Sequence, residues 1–207
     1  MTLGRSIRLG LALLVAAGPI FATGARLSGH HESSHRPAQA KRRELNLPIP
    51  DFSLKDQTGR PFSFQKLRGK LVLMTFVYTT CPDACPLITS SLRQVQRELR
   101  GSERNSIFLL SITTDPEIDK PQVLKSYGER YGVDFSNWSF LTGHQKELAP
   151  VWKTFGVRVE RKARGLVDHT SLTALLDKKG VVRVAYHGPA PDPKVILRDL
   201  RALLNAN

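Results

Sequence analysis

Residues 71–78, Leu-Val-Leu-Met-Thr-Phe-Val-Tyr, form an almost continuously apolar run that stops at Thr79-Thr80-Cys81-Pro82. A run of that length without alternation predicts a central strand covered on both faces. Immediately downstream, Ile88, Leu92, Val95 and Leu99 recur at helical spacing with Arg, Gln and Glu between them, so the strand leads directly into an amphipathic helix. Residues 106–112 predict a second buried strand. Pro121 opens a helix carrying Val123, Leu124, Tyr127 and Tyr131, residues 138–141 suit a short strand, and Leu148, Val151, Trp152 and Phe155 mark a third helix. Two hairpins are signalled by their turns. Residues 52–54 and 61–64 flank Asp56-Gln57-Thr58-Gly59, and residues 171–176 and 181–185 flank Asp177-Lys178-Lys179-Gly180. The last helix follows Asp192-Pro193, a cap with proline in the first helical position, and turns Ile196, Leu200 and Leu203 inward.

Strand, helix, strand, helix, hairpin, helix, with insertions, predicts an α/β fold of thioredoxin-like arrangement. It has a central mixed sheet flanked by helices, an N-terminal hairpin, and a C-terminal hairpin plus helix; periodicity by itself is equally compatible with other small α/β layouts. At 207 residues and 41% hydrophobic content the chain supports one core, placed at residues 48–207. Ahead of it, Arg5 and Arg8 precede an uncharged run, residues 9–25, that ends in the small residues Ala22, Gly24 and Ala25. Residues 1–25 are therefore an export signal. It is either cleaved or kept as a membrane anchor, since the run falls just short of the ~20 residues that span a bilayer comfortably. Residues 26–47 read as a flexible linker, rich in His, Ser, Pro and basic residues over 29–43. His30, His31 and His35 within it suit a solvated tether, with metal gathering as the alternative. Export places the domain in the bacterial cell envelope, on the periplasmic side.

The chain holds 31 Lys and Arg against 18 Asp and Glu, a formal charge of +13. Only Arg5, Arg8 and Arg26 of that excess lie in the signal region, so the domain is basic and suits acidic partners or anionic headgroups. Nucleic acid is a poor candidate, because the chain is exported and carries no nucleic-acid motif.

Both cysteines fall in Cys81-Pro82-Asp83-Ala84-Cys85-Pro86, at the junction of strand and helix. Pro86 lacks an N–H and belongs in the first helical turn, which makes Asp83 the expected N-cap, with Cys85 in the first turn and Cys81 just ahead of it. The positive end of the helix favours thiolate, so both sulfurs are expected to be activated as nucleophiles or metal ligands. Three intervening residues let them turn towards one point, which suits a chelate. A plain disulfide is the alternative that export suggests, although so short a loop constrains the unfolded chain little. Soft sulfur selects cuprous ion, and an added imidazole makes the site acceptable to cupric ion. His169 is the candidate third ligand. It lies just ahead of the 171–176 strand, whose entry loop in a thioredoxin-like layout rests against the cysteine-bearing helix. A lone histidine is more commonly a satisfied polar residue, and only the topology argues otherwise. His144 and His187 are expected away from the cysteines. Asp83 reads as a cap and Asp115 as the start of a turn, with orientation of a ligand as the alternative role.

The stretch Thr75-Phe76-Val77-Tyr78-Thr79-Thr80-Cys81-Pro82-Asp83-Ala84-Cys85-Pro86 resembles the signature of the Sco/SenC family, copper chaperones of cytochrome c oxidase assembly. Ser111-Ile112-Thr113-Thr114-Asp115-Pro116-Glu117-Ile118-Asp119, followed by Pro121, is similar to the family's Asp-Pro-Glu segment, and Val167-Asp168-His169-Thr170 to its histidine loop. The resemblance runs from about residue 48 to the C-terminus. It implies a modified thioredoxin fold, with Cys81, Cys85 and His169 as ligands of one copper ion per chain, cuprous or cupric. It also implies delivery of copper to, or thiol maintenance of, the binuclear copper centre of an oxidase subunit. Lys120, Ala174 and Lys178 depart from the family pattern, none of them at an expected ligand.

The basic loop 158–164 is a candidate dock for an acidic partner. The rival reading is a thiol–disulfide reductase of the cell envelope in which Cys81 and Cys85 are the redox pair, recycled by another thioredoxin-like reductase. Such an enzyme has little need of His169. A peroxide-reducing enzyme is a weaker third reading, for want of a peroxidatic cysteine motif.

Overall fold

The computed structural model describes residues 40–189 and 191–206; the signal segment 1–25 and the linker histidines His30, His31 and His35 lie outside the described residues. Along the chain the strands are β1 (Lys41–Pro48), β2 (Ser53–Asp56), β3 (Pro61–Ser63), β4 (Leu71–Val77), β5 (Ile107–Thr113), β6 (Trp138–Thr142), β7 (Val159–Arg161), β8 (Val167–His169), β9 (Leu172–Leu176) and β10 (Val181–His187). The helices are α1 (Ala84–Glu98), α2 (Ser102–Ser106), α3 (Pro121–Arg130), α4 (Gln145–Thr154) and α5 (Pro193–Asn205). One mixed sheet has the order β1-β10-β9-β4-β5-β6-β2-β3, and β7 and β8 pair separately.

The continuous apolar character of β4 follows from its place at the centre. Leu71, Leu73 and Val77 pack with Ile88, Leu92 and Val95 of α1 and with Ile196 and Leu200 of α5. Their alternates Val72, Met74 and Phe76 join Leu148, Val151 and Trp152 of α4 in a second core on the opposite face. Every residue of the strand is buried, so neither face has use for a polar period. β4 runs parallel to β5, and β5 to β6, with α1 and α3 in the two crossovers; β9 is antiparallel to β4. The C-terminal ends of β4 and β5 therefore lie side by side, and the segments that leave them, 78–83 and 114–120, are neighbours. The predicted strands, hairpins and helices form as expected, and the result is the thioredoxin-like α/β arrangement.

One boundary differs from the sequence reading. Residues 41–47, assigned to the linker, form most of β1, which pairs antiparallel with β10 from Lys41↔His187 to Pro48↔Val181. Main-chain pairing fixes this strand, since nearly all of its side chains face solvent. A composition that reads as tether is here that of a charged outer edge, which discourages addition of a further strand. Arg42 anchors it: its Nε donates to Asp199 Oδ2 at 2.7 Å, and the Tyr186 hydroxyl donates to the same oxygen at 2.8 Å.

Candidate metal centre

Asp83 occupies the N-cap of α1 as expected, but its side chain makes no capping hydrogen bond. A sulfur takes that role instead. The Cys85 N–H, in the first turn, donates to Cys81 Sγ at 3.4 Å, and the Tyr78 N–H at the end of β4 donates to Cys85 Sγ at 3.4 Å. The two cysteines are not joined in a disulfide; Cys85 is buried and Cys81 is partly open to solvent.

His169 ends β8 and reaches this pair from the β7–β8 hairpin. Its Nε2 lies 3.8 Å from Cys85 Sγ, and its Nδ1 lies 3.1 Å from the Thr170 carbonyl oxygen. A carbonyl only accepts, so the ring proton sits on Nδ1 and the Nε2 lone pair faces the sulfur. The Tyr78 ring meets the imidazole edge-on with centroids 5.6 Å apart. With the bond lengths of zinc as a gauge, about 2.3 Å to sulfur and about 2.0 Å to imidazole, two such donors on one ion stand at most about 4.3 Å apart. The observed 3.8 Å is within that span. Cys81 and His169 also line one open cleft of 450 Å³, together with Tyr78, Asp83, Lys162 and Leu166. Among the described residues, no three His, Cys, Asp or Glu side chains are already drawn around a single point, so a three-donor shell on Cys81, Cys85 and His169 requires a side-chain adjustment. His144 is the N-cap residue of α4, its N–H donating to Glu147 Oε2 at 2.6 Å, and His187 ends β10; neither lines the cleft.

The two sulfurs are not equivalent, which corrects the expectation that both would be activated. Cys81 is held down to about 5, chiefly by the hydrogen bond from the Cys85 thiol and further by the N–H groups of Cys85 and Asp83 and the Tyr78 hydroxyl, against burial. Cys85 is pushed up, first by its bond to the Cys81 sulfur and then by burial. Burial also lowers the His169 pKa, with the Thr170 carbonyl opposing it, and thereby keeps the imidazole neutral. Iodoacetamide is accordingly expected to modify Cys81 first, at a rate that holds down to about pH 5, while Cys85 stays protected. Peptide mapping after a short pulse checks this; equal labelling of both, rising together near the ordinary thiol range of about 8.5, would contradict the asymmetry.

Sequence reasoning passed over Asp119. It is fully buried at the end of the 114–120 segment. It accepts from the Thr79 N–H at 3.2 Å and the Thr79 hydroxyl at 2.5 Å, and from the Thr113 hydroxyl at 2.6 Å. Burial pushes its carboxyl above the usual range, opposed by the Thr113 and Thr79 hydrogen bonds. The available signal was a polar cluster, Thr113-Thr114-Asp115 with Asp119 four residues on, at the end of an otherwise apolar strand. Asp115 does start a turn, its carbonyl accepting the N–H groups of Ile118 at 3.2 Å and Asp119 at 2.8 Å. Its carboxylate is also buried, against Arg161.

A thioredoxin-like sheet whose central strand delivers a thiolate–thiol pair to a helix mouth, with an oriented imidazole beside it, defines a class of soft-metal or dithiol proteins. Comparison with known proteins narrows the class. The SCO1/SenC family profile matches residues 40–205, and the chain belongs to that family. The match begins at β1 and not at residue 48, in keeping with the strand found there. The SCO1 protein homolog of Bacillus subtilis is 32% identical over 152 residues, covering 72% of this chain and 78% of that protein. A solved structure of BsSco, a member of the Sco family of cytochrome c oxidase assembly proteins in which a disulfide switch was identified, aligns with a TM-score of 0.69 at 30% identity; the match covers 80% of this chain and 98% of that one. Copper-bound ScoI of Bradyrhizobium japonicum aligns with a TM-score of 0.65 at 28% identity, over 75% of this chain and 99% of that one.

Proposed function

We propose that this protein is a copper chaperone of the bacterial cell envelope that holds one copper ion on Cys81, Cys85 and His169 and passes it to the binuclear copper centre of a cytochrome c oxidase subunit. The observation that carries the reading is the Nε2 lone pair of His169 directed at a buried sulfur 3.8 Å away. A dithiol enzyme has less need of that arrangement, since its two sulfurs carry the exchange. Family membership and copper-bound ScoI support the choice of cargo. Two sulfurs suffice for cuprous ion, and the imidazole extends the site to cupric ion. Binding displaces the Cys85 proton, so copper uptake releases acid and tightens as pH rises. Cys81, at the open lip, is the ligand an acceptor's donor displaces first, whereas Cys85 and His169 hold the cargo from behind. The charge and apolar pattern of residues 1–25, which reads as an export signal, supports a location on the periplasmic side; among the described residues, no helix is long and apolar enough to cross a membrane.

Anaerobic titration of the reduced protein with cuprous ion tests the proposal. The expected endpoint is one ion per chain, abolished by alkylation of Cys81. Binding that survives alkylation, or an endpoint set by exposed histidines, would remove the dithiol site. The asymmetric sulfur pair favours one second reading. A Cys81 thiolate attacks a substrate disulfide, and Cys85 then displaces the mixed disulfide, leaving an oxidised Cys81–Cys85 pair and two substrate thiols; another thioredoxin-like reductase restores the pair.

A further inference from the structure

The β7–β8 hairpin that carries His169 is not part of the main sheet. Its register pairs Val159 with His169, Glu160 with Asp168, and Arg161 with Val167. Directly opposed residues share a face, so Val159, Arg161, Val167 and His169 point one way and Glu160 and Asp168 the other. The first set faces the body of the protein: Val167 is buried and Val159 packs on the core, whereas Glu160 and Asp168 are exposed. Two polar side chains therefore leave the inner face of the hairpin. One is His169, towards Cys85. The other is Arg161, whose guanidinium pairs with Asp115 and lies 3.2 Å from Glu117. Among the described residues, these are the ion pairs that join the hairpin to the body; Lys162 pairs with Glu160 within the hairpin.

Asp115 is 0% exposed, and its Oδ2 has no hydrogen-bond partner among the described residues. A buried carboxylate so poorly satisfied attracts a guanidinium strongly. The segment it belongs to is closed by the N–H of Asp119 onto the Asp115 carbonyl, and Asp119 holds Thr79, two residues before Cys81. We infer that Arg161 is a positioning residue for the copper site: its clasp on Asp115 fixes the hairpin, and with it His169, against the cysteine segment, and release of the clasp uncovers Cys85. The Arg161 side chain remains 38% exposed, so the clasp can be undone from solvent without unfolding the core.

The inference builds on the proposed copper site, and its test has one arm that needs no metal. In the apo protein, Arg161→Gln is expected to raise the alkylation rate of Cys85 by about tenfold or more, with Arg161→Lys falling between it and the parent. In the copper arm, Arg161→Gln is expected to weaken cupric binding about tenfold, the range seen when the support of a ligand is removed. In a His169→Ala background the same substitution should have no effect, because it acts through that imidazole. A stranded Asp115 that unfolds the single variant is relieved in Asp115→Asn/Arg161→Gln, for which the same results are expected. Cys85 as protected as in the parent, in a variant that circular dichroism shows to be folded, overturns the clasp; so does an undiminished copper effect in the His169→Ala background. A parent protein that took up no copper would sink the chaperone reading, and Cys85 alkylation would still decide the clasp.

Discussion

Replacement of His169 by alanine is expected to lower cupric affinity by more than about a hundredfold, beyond the 10–100-fold typical of groups that only support a ligand. Cuprous affinity should change far less. The distinction comes from ligand preference: two sulfurs satisfy cuprous ion, whereas cupric ion needs the imidazole. The sulfur-to-copper charge-transfer absorption should weaken with it. Acid titration of the parent protein gives an independent check. Burial lowers the His169 pKa, so Nε2 remains free to ligate below the ordinary value of 6.5, and the loss of cupric ion attributable to this residue should begin beneath that point. The same shift has a consequence for stability without metal. The folded value lies below the unfolded one, so the stabilisation by neutral His169 is complete above about 6.5 and is lost as pH falls through the folded value. His169→Ala should remove that component of the pH dependence. If it left cupric affinity and spectrum unchanged, the dithiol would be acting alone, and the reductase reading would be the better one.

What was legible in the sequence, and what was not, follows from which forces leave a mark on local pattern. β4 and α1 were legible because burial on two faces and on one stripe writes an apolar run and a 3.6-residue period into neighbouring positions. Pro86 fixed the phase of the helix and so the placement of Cys81 and Cys85. β1 was hidden because its side chains contribute little burial, and backbone pairing with β10 leaves no hydrophobic trace. The β7–β8 hairpin was hidden for a related reason: two three-residue strands are too short for alternation to stand out, although Val159 and Arg161 opposite Val167 and His169 do share a face. The inequality of the two sulfurs is a tertiary property. A helix mouth acts on both cysteines alike, but Cys85 is buried beside His169 whereas Cys81 is partly open to solvent. The proximity of His169 came from topology and family resemblance, and the geometry that makes it a candidate donor, Nδ1 bound to the Thr170 carbonyl, is invisible in the chain.

Asp119→Ala should be the most damaging substitution away from the three proposed donors. It takes the acceptor from three groups at once, the N–H and hydroxyl of Thr79 and the hydroxyl of Thr113, all within the densely packed end of β4 and β5. Hydrogen bonds to a charged acceptor contribute about 1.5–3 kcal/mol each, and the cost of burying the Asp119 carboxylate offsets part of their sum, so a loss of roughly 2–3 kcal/mol is expected in urea unfolding. The functional effect runs along the main chain. Thr79 follows Tyr78, whose N–H holds Cys85 Sγ, and precedes Cys81 by two residues. Freeing Thr79 therefore loosens both sulfurs together, and cuprous affinity should fall by about 10–100-fold although no proposed ligand has been touched. Asp119→Asn keeps one acceptor oxygen and should retain part of both properties. A variant that lost stability but bound cuprous ion as tightly as the parent would place the rigidity of the cysteine segment in α1 and β4 themselves, and would leave Asp119 with a structural part only.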